Sequence, residues 1–177
     1  MKIRHATLDD AEAIAAVEAT CFPPAEAASA TSVRARLAVY PNHFWLMIDD
    51  EATSNNTSAG DETTLADGRL VAFVNGFVTD EPNLTDDMYD DASMHDESGA
   101  WQMIFGVDTA PAYQHRGYAT RLLQCAIDDA RQQGRAGLVL TCKERLIGFY
   151  ARLGFKNEGV SESTHGNVTW HQMRLRF

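Results

Sequence analysis

Three stretches of this 177-residue chain carry residue types and spacings that can do chemistry. The first is Gln114-His115-Arg116-Gly117-Tyr118-Ala119-Thr120, between an apolar run ending at Thr109 and an amphipathic segment. Pro111 stops the run before it, and Gly117 and Ala119 keep side chains small where a helix would open. A helix start presents backbone N–H groups that no intrahelical carbonyl accepts, at the positive end of the helix dipole. That arrangement suits an anion, phosphate above all, and Arg116 adds a fixed charge nearby. Taken alone, the fragment reads equally well as a plain strand-to-helix connection. The second stretch, ERLIGFYARLG (144–154), offers the phenol of Tyr150 as a proton donor. Periodicity alone groups Tyr150 with Leu146, Phe149 and Leu153 as a core aromatic. The third is Cys142 at the end of AGLVLTC. No local His or Asp activates that thiol, so it reads as a small buried apolar residue.

Elements on either side must position these residues. IRHAT (3–7) reads as a first strand, with Thr7 as N-cap of a helix whose apolar positions are Leu8, Ala11, Ile14, Ala15 and Val17. A Pro-Pro break at 23–24 and a second helix over 29–39 follow. FWLMI (44–48) and LVAFVNGFV (70–78) read as neighbouring strands, and the polar stretch 49–69 between them as a long hairpin loop. An acidic insert, 80–97, holds too few apolar residues for a core, though Leu84, Met88 and Tyr89 suffice to anchor a short helix. AWQMIFGVDT predicts a strand, YATRLLQCAIDDARQQG a helix ended by Gly134, and AGLVLTC a buried strand. ERLIGFYARLG predicts a helix stopped by Gly154, with FKNEGV and TWHQMRLRF as closing strands. Without a strict βαβ rhythm, the class is α/β in the α+β sense: a mixed sheet of about six to seven strands flanked by about four helices. Length fits one domain over 1–177.

Composition narrows the partners. The formal net charge is −10 with a pI near 4.9, which argues against nucleic acid, since phosphate backbones require a basic stripe. An acidic surface favours a cationic small substrate, and serves solubility in any case. No apolar run reaches membrane-spanning length, and acids interrupt the N-terminus where an export signal needs its apolar core. Cys21, Cys125 and Cys142 form no CxxC pair and no metal spacing with the six histidines. Reduced thiols, a cytoplasmic location and no metal are the expectation.

Gln114-x-x-Gly117-x-Ala119 resembles the (Q/R)-x-x-G-x-(G/A) motif with which GCN5-related N-acetyltransferases (GNAT) bind the pyrophosphate of acetyl-CoA. FGVDTAPAYQ resembles the strand and turn leading into it, and LTCKERLIGFYARLGFKNEG the family's later helix–strand signature. The order RLVAFVNGFV, acidic insert, strand, turn and LVLTCKERLIGFY is similar to the serotonin (arylalkylamine) branch and its microbial relatives. The resemblance implies a sheet that splays at a bulge in the fourth strand, where Phe105, Gly106 and Val107 hold the carbonyl oxygen and pantetheine arm. It implies that Gln114, His115, Arg116, Gly117, Tyr118, Ala119 and Thr120 bind the pyrophosphate. Tyr150 matches the tyrosine that donates to the coenzyme sulfur. Cys21-Phe22-Pro23-Pro24 is similar to the proline loop over the amine site, which places Phe22, Pro23 and Pro24, with Met103 and Thr141, against the substrate.

Acetyl transfer from a thioester needs a neutral amine, donors for the carbonyl oxygen and a proton for the departing thiolate. An alkylamine of pKa near 10 costs about 4 kcal/mol to neutralise at pH 7. The two histidines that serve the serotonin branch are replaced here by Met103 and Phe105, neither of which accepts a proton. His95, Asp96, Glu97, His171 and water are the substitutes on offer; Trp45 joins Phe22, Met103 and Phe105 as candidate apolar lining. The resemblance implies an acetyl-CoA-dependent transferase acting on a small primary amine. A peptide or protein acceptor and a non-catalytic CoA-binding sensor are the alternatives. A monomer or a homodimer is expected, with TWHQMRLRF as a candidate exposed edge strand.

Overall fold

Gly76 has no room for a side chain: a Cβ there would lie 1.8 Å from the Met103 carbonyl oxygen. Two long strands, β4 (Gly68–Thr79) and β5 (Trp101–Thr109), run side by side at this point and organise the molecule. The computed structural model describes residues 1–52 and 62–177. The part of the expected 49–69 loop that spans 53–61 lies outside the described residues. Among those described, the sheet has eight strands, ordered β1-β2-β4-β5-β6-β8-β7, with β3 against β4, and the chain has five α-helices. The mixed-sheet α+β class expected from sequence is the one found.

The chain forms two compact units. One comprises Met1–Asn75 and Gly106–Leu123. In it β1 (Lys2–His5) pairs antiparallel with β2 (Phe44–Asp49), which pairs antiparallel with β4. The register slips once, between Met47 and Ile48. β3 (Thr64–Leu65) folds back on Gly68 and Arg69. α1 (Ala11–Cys21) starts through a 3-10 turn at Leu8–Asp10, where the Thr7 N–H donates to Asp10 Oδ2 at 2.7 Å. Arg4 grips the same carboxylate with two donors at 2.7 and 2.8 Å and also reaches Asp67. Burial works against the Asp10 charge, but Arg4 and the Thr7 N–H outweigh it and hold the acid below its usual range. Ala11, Ile14 and Val17 are buried as expected. Leu8 is not: it stands half exposed, because the turn precedes the helical face that periodicity assigned it to. α2 (Ala30–Val39), capped by Ser29 accepting from the Ser32 N–H, packs on α1.

The other unit comprises Gly76–Phe105 and Gln124–Phe177. β6 (Gly137–Cys142) runs parallel to β5 over Trp101–Ile104, and the pairing ends at Ile104 opposite Leu140 although both strands continue. The pairing thus stops one residue short of Phe105, the first of the three residues at the expected splay. β8 (His171–Arg176) lies between β6 and β7 (Lys156–Val160). TWHQMRLRF is therefore an interior strand; the edge is β7, whose residues are mostly exposed. A single polar strand, KNEGV, occupies the place that alternation in the last segment suggested for it. The acidic insert forms the short helix α3 (Asp87–Asp90), anchored by buried Leu84 and Met88. Arg135 is buried beneath it, donating to the Glu97 and Gly99 carbonyls at 2.5 and 2.8 Å and to the Glu97 carboxylate at 2.6 Å. α5 (Ile147–Ala151) follows a 3-10 turn and packs on β7 and β8. α4 (Tyr118–Gln132) contributes its first turns to one unit and the remainder to the other. Among the described residues no helix is long and apolar enough to cross a membrane.

Candidate active site

The turn from Pro111 to Gly117 is held by its own side chains. Gln114 donates to the Thr109 carbonyl at 3.1 Å, and Arg116 donates to the Ala112 carbonyl at 3.0 Å while lying over the Tyr113 ring. Two residues adopt left-handed backbone, His115 at φ 61° and Gly117 at φ 79°. Successive right- and left-handed residues curl N–H groups into a concave anion-binding nest. The first α4 hydrogen bond runs from Arg121 N to Gly117 O, so the N–H groups of Tyr118, Ala119 and Thr120 precede the ladder. A Cβ built on Gly117 would meet no atom within 4 Å, so the turn keeps open space directly in front of those donors. The open space and the nest fit a diphosphate. Arg116 is turned back onto the loop, which makes it a brace for the nest in this conformation.

Gly106 and Val107 belong to the same unit as this turn, as does the loop after α1. Phe22 closes α1 through its N–H to the Glu18 carbonyl, and Pro23 and Pro24 are exposed at the start of a turn closed on the Pro23 carbonyl. Trp45 is enclosed in the core beside the His5 and His43 rings.

Phe105, Met103, Thr141 and Tyr150 fall in the other unit. Tyr150 is buried on α5, its ring edge-on to Phe149 and Phe155 at 5.0 and 5.9 Å between centroids. Phe105 lies against Phe77 and Tyr89 at 4.9 and 5.1 Å, and Tyr89 stacks on His165 at 4.8 Å. The Tyr89 hydroxyl is 3.4 Å from Thr141 Oγ1, which sets Thr141 at the rim of an aromatic wall. Met103 is fully buried. Burial pushes the Cys142 thiol up to about 11, which removes it as a nucleophile at neutral pH.

Of the expected substitute bases, His95, Asp96 and Glu97 are engaged locally. His95 accepts the Val78 N–H on Nδ1 at 3.2 Å and places Nε2 3.3 Å from Glu97. Asp96 accepts from the Ser98 N–H and hydroxyl, and Glu97 pairs with Arg135. His171 lies between β6 and β7 with Nδ1 buried and without a hydrogen-bond partner. Sequence reasoning passed over a different group, Asp108, which is 1% exposed. Neither of its carboxylate oxygens has a hydrogen-bond partner. Its only signal in the sequence was an acid inside the apolar strand FGVDT, two residues after a glycine.

The mixed sheet, the strands that part after Ile104 and the N–H nest at a helix start define the acyltransferase architecture of the GNAT type. The sequence profile of the acetyltransferase (GNAT) family matches residues 12–155, and the chain belongs to that family. Solved structures share the fold. A GphF GNAT-like decarboxylase in complex with isobutyryl-CoA superposes with a TM-score of 0.77 at 20% identity, covering 99% of each chain. The NatC complex bound to Gag peptide and CoA gives 0.70 at 13% identity over 100% of this chain and 99% of that one. A GNAT family acetyltransferase from Brucella melitensis in complex with acetyl-CoA gives 0.58 at 17% identity, over 99% and 87%.

Proposed function

We propose that this chain, acting as one acetyltransferase domain over 1–177, transfers the acetyl group of acetyl-CoA to a small primary amine by direct attack in a ternary complex. The observation that carries the reading is the nest at 115–117, open in front of three helix-start N–H groups at the end of a 15-residue helix. Gln114 and Arg116 brace the nest from behind, and the N–H groups of Tyr118, Ala119 and Thr120 hold the diphosphate. Phe105, Gly106 and Val107 offer backbone groups to the pantetheine arm and the carbonyl oxygen. The coenzyme supplies an activated acetyl thioester. Tyr150 donates its phenolic proton or a hydrogen bond to the departing sulfur. Phe22, Pro23 and Pro24, with Met103 and Thr141, take the acceptor. The small-amine reading draws on the proline loop and the acidic surface, which suits a cation.

Release of free CoA thiol from acetyl-CoA, measured across polyamines, phenylethylamines, tryptamine, amino sugars and a basic peptide, tests the reading. Turnover with one small-amine class bears it out. Turnover with the peptide alone replaces the acceptor class. Thermal stabilisation by acetyl-CoA without turnover of any acceptor makes the chain a coenzyme sensor.

A further inference from the structure

Two polar side chains, those of Asn75 and Asp108, meet over the Gly106 backbone. Asp108 and Asn75 are each 1% exposed. Both carboxylate oxygens of Asp108 and both amide atoms of Asn75 are buried without a hydrogen bond, and so is the Thr109 hydroxyl. A Cβ on Gly106 would lie 2.7 Å from Asn75 Oδ1 and 2.8 Å from Asp108 Oδ2. Glycine at 106 thus lets both oxygens lie directly over the strand. The titratable groups that act on Asp108 are Glu18 and Cys21, both from α1. Glu18 is itself buried and accepts the Ala28 N–H at 2.7 Å. The Cys21 thiol donates to the Thr109 carbonyl at 3.4 Å and, pushed up to about 11 by burial and by Asp108, stays neutral. Burial first and Glu18 second hold the Asp108 carboxyl well above its usual range; the nearby Cys21 thiol, a weak donor, opposes them without cancelling them.

A buried, unpaired acid is costly, and folds normally give it a donor. Here the groups beside Asp108 are the Asn75 amide, the neutral Cys21 thiol and a second acid, Glu18, and none of these carries a positive charge. The oxygens Asp108 Oδ1, Asp108 Oδ2 and Asn75 Oδ1 match the three donors of an ammonium group. An anionic group would face repulsion from Glu18. The chemistry selects a cation, and a primary amine arrives at neutral pH as that cation.

We propose that Asp108, with Asn75 beside it, receives the ammonium end of the acceptor and takes its proton before acetyl transfer. The assignment rests on the acetyl-transfer reading above. One proton passes from R–NH3⁺ to the Asp108 carboxylate and frees the nitrogen lone pair. The amine then forms its N–C bond to the acetyl carbon as the C–S bond breaks. Its second proton leaves with the coenzyme thiol, and Asp108 returns the first to solvent. A carboxyl group held above its ordinary range is a better-matched acceptor than an exposed one.

The test is Asp108→Asn on the full chain, with thiol release followed from pH 6 to 10.5 on acceptors of graded basicity: an alkylamine, a weakly basic fluorinated alkylamine and a hydrazide. Acetyl-CoA should stabilise the variant and the wild type against heat equally. The variant's kcat/KM for the alkylamine should fall about 10²–10⁴-fold at pH 7. The gap should close above the amine's own pKa, and should be small throughout for the hydrazide. Glu18→Gln serves as the second variant: it removes the repulsion on Asp108 and should move the acidic limb of the profile to lower pH. Asp108→Asn within threefold of wild type at pH 7 overturns the assignment. So does a loss that is the same at every pH and for every acceptor, which marks a structural or water-holding role. Wild type that binds acetyl-CoA but acetylates no amine overturns the transfer reading itself, and the assignment with it.

Discussion

Ser163 donates its hydroxyl to Asp86 Oδ1 at 2.5 Å, and the next residue's N–H donates to Asp86 Oδ2 at 2.9 Å. One carboxylate thereby fastens the acidic insert to the loop between β7 and β8. Partial burial works against its charge, but the Ser163 and Thr164 donors dominate and hold Asp86 below the usual carboxylate range. A depressed folded value means stabilisation that is complete above the unfolded pKa near 4 and fades as pH falls through the folded one. Asp86→Ala should cost about 1–2 kcal/mol in urea unfolding at pH 7, with the difference from wild type shrinking below pH 4. Equal stability of the two proteins at pH 7 would show that the fastening is idle.

Tyr150→Phe separates packing from chemistry. Its ring contacts with Phe149 and Phe155 survive the change, so the melting temperature should move by no more than about 3 °C. If the phenol serves the departing sulfur, kcat should drop about 10²–10⁴-fold with acetyl-CoA affinity retained. Steady-state kinetics beside a calorimetric titration read both quantities.

Gly117 stands in open space, so an added methyl collides with nothing; its φ of 79° is the obstacle. Gly117→Ala should cost about 1–2 kcal/mol of left-handed backbone strain. It should also place a methyl in front of the nest and weaken acetyl-CoA binding at least tenfold. Undiminished affinity, read by calorimetric titration, would place the diphosphate elsewhere.

Gly76→Ala is a case of the opposite kind. Its new Cβ would fall on the Met103 carbonyl of the neighbouring strand, an atom that cannot step aside. The variant should fail to accumulate in soluble form, whereas Gly148→Ala, which meets nothing within 4 Å, should express normally.

The turn and the helices were legible because their signals are local: Pro111, Gly117, Gly134, Gly154 and the Thr7 cap each act within a few residues. The order of the last two strands was not. Alternation in TWHQMRLRF reports which side chains share a face, and says nothing about which strand lies next to which. The run of polar residues in KNEGV was the better indicator of an edge. Arg135 was unreadable for another reason, since its partners at Glu97 and Gly99 lie more than thirty residues away in sequence. Asp108 and Glu18 escaped for the same reason. An acid at the end of a strand and another on a helix each look solvated until tertiary structure puts them together away from water.

The way the two compact units share the chain bears on how the protein is made. The unit begun by Met1–Asn75 is completed only by Gly106–Leu123, and the intervening Gly76–Phe105 belongs to the other. A ribosome must therefore deliver Thr109 before the first unit has all its strands, and Arg176 before the second does. Until then β2 and the first half of β4, both strongly apolar, wait without their full complement of neighbours. Each unit therefore closes over a long stretch of sequence, and long-range closures of this kind are slow. Nascent chains arrested shortly after Asn75 should be sensitive to protease and bound by chaperones, and those extended until Phe177 clears the exit tunnel should become resistant.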